Sequence, residues 1–155
     1  MLALMMTKLR AISLVTVALL FLGCERMETV ETVYPNFEAA AKAKAIGNGR
    51  WIPGFLPPSA ADIREVHNLD TNEVWLFFRS NSTDLPAVVS LCKKVAGREV
   101  VYPRKSPGSW WPQMLIKRHE DSQQVVNAYE YYQCKEGKVM AIDRSKSEVY
   151  FWDLG

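Results

Sequence analysis

The chain has few histidines, no surplus charge beyond its first residues and none of the short motifs that mark the common chemistries. No Gly-x-Ser-x-Gly surrounds Ser59, Ser80 or Ser90, so a nucleophile elbow is missing. No glycine-rich phosphate loop and no His-Glu-x-x-His occurs, which removes the usual signatures of nucleotide hydrolysis and of zinc proteases. Repeats, low-complexity tracts and interdomain linkers are absent. The apolar run at 11–23 is 13 residues long, short of the about 20 that a spanning helix needs. Of 19 basic residues, Lys8 and Arg10 precede that run; the 132 residues from Cys24 onward carry 17 of each sign. No cationic excess remains there to hold nucleic acid or an anionic membrane surface.

What is present begins with that run. Ala11-Ile-Ser-Leu-Val-Thr-Val-Ala-Leu-Leu-Phe-Leu-Gly-Cys24 follows two cations. A basic start, a short apolar stretch and a small residue before the cut are the parts of a secretory signal. With Cys24 directly after Gly23, the segment resembles a bacterial lipoprotein signal whose lipobox is Phe21-Leu22-Gly23-Cys24. It departs from the common pattern in Phe21 and in the bulky Leu22. The resemblance implies that 1–23 is removed, that the Cys24 thiol takes diacylglycerol, and that acyl chains such as palmitate hold the protein to a membrane. Two chains anchor stably where one binds only marginally. Glu25 in place of aspartate leans towards the outer membrane, with the body facing the periplasm. Plain cleaved secretion and an uncleaved anchor are the alternatives, and Met5 or Met6 are alternative starts.

Two cysteines remain, Cys92 and Cys134. In an oxidising envelope compartment such a pair reads as a disulfide. Closing about 42 residues, it would stabilise by roughly 4 kcal/mol. Two free thiols or a zinc site are the rivals. Zinc would have to recruit His67 and His119, with no short ligand pair to start from.

The expected organisation is a polar tether at 24–33 and one α+β domain at 34–155. Asn36 is a helix cap, and alanine and lysine favour a helix over 37–46. Three prolines in Arg50-Trp51-Ile52-Pro53-Gly54-Phe55-Leu56-Pro57-Pro58 force a loop whose apolar residues pack inward. Ser59 with Asp62 reads as an approximate capping box for a helix over 60–68. Leu69-Asp70-Thr71-Asn72 is a turn, and 73–79 is apolar on both faces, a covered strand. A second helix is expected over 85–95, with Pro86 in its first turn and a stripe of Leu85, Val88, Val89, Cys92 and Val95. The 100–116 stretch is irregular, with a short helix near Trp111. Residues 125–134, 138–142 and 148–152 read as a three-stranded meander. The expected fold is thus a mostly antiparallel sheet, formed by that meander and the strand near 73–79, with helices packed on one face.

The stretch Gly49-Arg50-Trp51-Ile52-Pro53-Gly54-Phe55-Leu56-Pro57-Pro58-Ser59-Ala60, continued by Asp62-Ile63, His67-Asn68-Leu69-Asp70-Thr71-Asn72 and Trp75, resembles a motif of small bacterial lipoproteins. The resemblance covers about 27 residues and carries no catalytic roles. Its polar residues admit two uses. Asp62, His67 and Asp70 could serve acid–base chemistry or ligand binding; more simply, Asp62 supports a helix start, His67 a helix end and Asp70 a turn. Trp110, Trp111 and Tyr102 form either an aromatic platform for a sugar or partner, or core. Lys117-Arg118-His119-Glu120-Asp121 cancels its own charge and reads as a solvated turn. The candidate binding surface is therefore Arg50, Trp51, Asp62, His67, Asp70, Trp110 and Trp111. No cofactor and no nucleic-acid partner is expected. The preferred expectation is a lipid-anchored envelope domain that binds or scaffolds without catalysis, its partner an envelope protein or a cell-wall sugar. The alternatives are an inhibitor or immunity lipoprotein against a toxic enzyme, and a small hydrolase using 62–72.

Overall fold

Side chains of a strand alternate between its two faces, and the 73–79 run is apolar at nearly every position, so it needs a cover on both. The computed structural model describes residues 28–116 and 128–155. Its strands are β1 (Thr29–Asn36), β2 (Ala61–Asn68), β3 (Glu73–Arg79), β4 (Lys93–Val95), β5 (Glu130–Gln133), β6 (Val139–Asp143) and β7 (Glu148–Leu154). They form one seven-stranded sheet in the order β1-β2-β3-β7-β6-β5-β4, antiparallel at every pairing. The helices are α1 (Phe37–Lys42) and α2 (Leu85–Val88). Among the described residues, no helix is long and apolar enough to cross a membrane.

On the first face Leu76 and Phe78 pack with Ile63, Met140, Ile142 and Phe151, and Ala40, Ile52, Leu56 and Leu85 close over them. On the second face Trp75 and Phe77 pack with Val66, Ala141, Tyr150 and Trp152, beneath Val100, Trp111 and Leu115. Each face is thus covered chiefly by irregular chain, the 43–60 segment on one side and 100–116 on the other.

The expected α+β class is corrected: the protein is mainly β, and the two short helices do not make a layer. Three expected segments change type or extent. Residues 60–68 are not a helix but β2. Ile63, Glu65 and His67 share its first face, so two buried polar groups hide the alternation that marks a strand. Ser59, Asp62 and His67 consequently have no helix-terminal roles. Helix 85–95 shrinks to α2, because the chain beyond it crosses to pair as β4 with β5, Lys93 opposite Gln133. Helix 37–46 stops at Lys42. Asn36 does cap it, accepting from the Ala39 amide at 2.9 Å. Beyond it, Lys44 takes a left-handed φ of 55° and Ile46 turns to bridge Ile52.

The polar stretch expected as a tether contributes β1 from Thr29 onward. The C-terminal meander is present as β5, β6 and β7. The signal segment, Cys24 and the 117–121 turn lie outside the described residues, as do positions 125–127 of the expected meander strand.

Candidate functional site

On the first face, β2 places a carboxylate and an imidazole two residues apart and therefore on the same side. Glu65 is 2% exposed and His67 6%. Glu65 Oε1 and His67 Nδ1 are 2.8 Å apart, and Thr32 Oγ1 on β1 donates to Glu65 Oε2 at 2.9 Å. Burial pushes the Glu65 carboxyl above its ordinary value, and the bonds from His67 and Thr32 offset that only in part. Trp51, delivered by the proline-rich loop, stacks on the imidazole at 4.1 Å between ring centroids and 9° between planes.

Trp51 is also a wall of a cleft of about 380 Å³ on this face. Phe55, Val74, Val88 and Phe151 supply its apolar lining, with Phe55 edge-on to Phe151 at 5.3 Å. Leu91, 78% exposed, stands on its border. The Cys92–Cys134 disulfide lines the same cleft. The expected bridge is present, with a Cα–Cα distance of 4.2 Å. It carries the ladder one step past the Lys93–Gln133 pair and so brings Leu91 near Lys135.

Three cations line the cleft, Arg50, Lys135 and Lys138, against one acid, Asp153. Lys138 is committed to Glu136 at 2.6 Å and to Asp153 at 3.6 Å. Glu136 holds Lys138 protonated above its usual range. Arg50 and Lys135 form no ion pair within the described residues. The result is an apolar, aromatic cavity lined by three cations and one acid, of a size common for small-molecule sites.

The structure gathers only part of the expected surface here. Arg50, Trp51 and His67 come together. Asp62 sits at a bulge in β2, with φ of 51°, and bonds Arg79 at 3.0 Å. Asp70 is in the β2–β3 turn, where Asn68 Oδ1 accepts from the Asp70 and Thr71 amides, each at 2.9 Å. Trp110 and Trp111 are on the other face of the sheet. Trp111 is 2% exposed in the second core, and the Trp110 indole donates to Glu31 at 3.1 Å. No aromatic platform is shared with the cleft.

Sequence reasoning missed Phe55 as a lining residue, and Leu91, Lys135, Lys138, Phe151 and Asp153 altogether. The one available signal was the cysteine pair, since joining 92 to 134 necessarily sets 91 near 135. The Glu65–His67 pair has the form of an oriented base. Yet among the described residues no hydroxyl or thiol hydrogen-bonds to the imidazole, and Trp51 covers its ring. No group of three His, Cys, Asp or Glu able to hold a metal ion occurs among the described residues.

A family model, the YbbD head domain, is similar to this chain over residues 28–79. That segment spans β1, α1, the proline-rich loop, β2 and β3, about a third of the chain. It contains Arg50, Trp51, Phe55 and Val74 of the cleft, while the disulfide wall and β7 lie beyond it. No curated protein and no solved structure showed a significant match.

Proposed function

We propose that this protein is a lipid-anchored, non-catalytic binding domain of the bacterial cell envelope, tethered through Cys24 and binding through the first-face cleft. The observation that carries the reading is the cleft itself: an apolar cavity edged by Arg50 and Lys135, with Trp51 separating it from His67, an imidazole that no hydroxyl or thiol hydrogen-bonds among the described residues. The signal-like run ending at Cys24 supports the anchor. The disulfide supports export, since such bonds persist in oxidising compartments. The outer membrane, with the domain facing the periplasm, is the proposed address.

A hydrolase built on 62–72 is disfavoured by the same geometry. Asp62 is engaged with Arg79 and Asp70 belongs to a turn, so neither meets His67. The anchor is tested by mass spectrometry of protein purified from its own host. Acylated Cys24 as the first residue is expected; an unmodified terminus, or a retained leader, overturns it.

A further inference from the structure

The charge and the apolar lining of the cleft restrict what it can take. A neutral apolar ligand would make no use of the Arg50 and Lys135 charges, and a cationic one would meet like charge. Lys138 is already occupied by Glu136 and Asp153; Lys135 acts on Glu136 only at longer range, so Arg50 and Lys135 are the lining cations that form no direct ion pair among the described residues. Both are exposed, and they come from different parts of the chain, the proline-rich loop and the β5–β6 turn. Behind them the lining is Trp51, Phe55, Val74, Val88 and Phe151, with no buried polar partner to orient a sugar's many hydroxyls. A sugar bound here would lose hydrogen bonds to water without replacement.

We propose that the cleft binds a single-chain anionic amphiphile. A carboxylate or phosphate head pairs with Arg50 and Lys135, and an apolar body lies on the Phe55–Phe151 lining beside Trp51. This rests on the cleft being the binding site. A charged head on cationic side chains makes charge-assisted hydrogen bonds, about twice as strong as neutral ones. The apolar body contributes in proportion to the area it removes from water. The volume, about 380 Å³, lies towards the small end of ligand cavities and favours one chain over two.

The test uses the mature chain, residues 24–155, carrying Cys24→Ser, so that with neither leader nor lipid it can be purified without detergent. Decanoate, decanol and decyltrimethylammonium are titrated separately by calorimetry, with tryptophan fluorescence as a second readout. Decanoate is expected to bind about tenfold or more tighter than decyltrimethylammonium, with affinity falling as salt rises. Arg50→Glu with Lys135→Glu should abolish that preference. Arg98→Glu with Arg104→Glu, an equal charge change at exposed positions away from the cleft, should retain it. Leu91→Ser, a neutral change at an exposed position on the border, should weaken all three ligands. Equal binding of the three amphiphiles overturns the anionic preference while leaving the cleft as a binding site. A preference lost equally in both charge-reversed proteins assigns it to net charge and overturns the site. Absence of binding by any of the three overturns the ligand class, while the anchor stands or falls on the mass of Cys24.

Discussion

Glu65 and Glu130 show how one residue type is driven in opposite directions by its surroundings. Burial raises Glu65 above 4.5, the ordinary value, despite its bonds to His67 and Thr32. A raised folded-state value favours folding below that pH and loses the contribution as pH rises through the shifted value. Partial desolvation also pushes Glu130 up, but bonds from Lys94, Tyr132 and Arg144 outweigh it and hold its pKa at about 2. Its contribution is therefore present above pH 4.5 and is lost as the pH falls towards 2. In urea titrations across pH, Glu130→Gln should flatten the acid limb of stability. Glu65→Gln should remove a component that weakens from acid to neutral pH. A Glu130→Gln curve parallel to the parent below pH 4.5 contradicts that assignment. Trp51→Ala should cost about 2 kcal/mol, from lost stacking on His67 and lost half-buried area. It should also weaken ligand binding at the cleft. Neither effect was legible beforehand, because Glu65 and His67 look like the polar side of a helix until their burial is known.

At the scale of elements, the disulfide decides how the short edge strand β4 is held. β4 has three residues, and the bridge ties its start to the end of β5 across 42 positions. Removing it with Cys92→Ala and Cys134→Ala should lower stability by about 4 kcal/mol in the loop-entropy estimate. A loss under about 1 kcal/mol would show β4 and α2 to be held by packing alone. Asn68 accepts two turn amides while buried, so Asn68→Ala should cost about 1–3 kcal/mol through unsatisfied donors. Strand β3 and the meander were legible because hydrophobic runs of strand length, bounded by turn residues, leave little choice. β2 was not, since Ile63 and Val66 match a helical spacing while the bulge at Asp62 and the buried Glu65–His67 pair break the strand pattern. The 85–95 stripe failed for a different reason. Its apolar spacing suits a helix, but pairing with β5 and the bond to Cys134 override that local preference.

For the molecule as a whole, the cleft is where two separately folded-in stretches meet. One wall lies within the segment similar to the YbbD head domain; the other comes from α2, the disulfide and the β5–β7 meander. Arg50, Trp51 and His67 stood out in the sequence because they belong to one unusual motif, the first two in its proline-rich loop and His67 further along it. Lys135 and Phe151 did not, because nothing local marks a residue whose role depends on a partner strand far along the chain. The tryptophans at 110 and 111 illustrate the converse, conspicuous in the sequence yet spent on the opposite core and a contact to β1. The most direct measurement is nuclear magnetic resonance of the Cys24→Ser chain titrated with decanoate. Saturable shifts concentrated at Trp51, Phe55, Leu91, Lys135 and Phe151 are expected. Shifts centred on Trp110 and the second face, or none at all, would contradict a cleft built to bind.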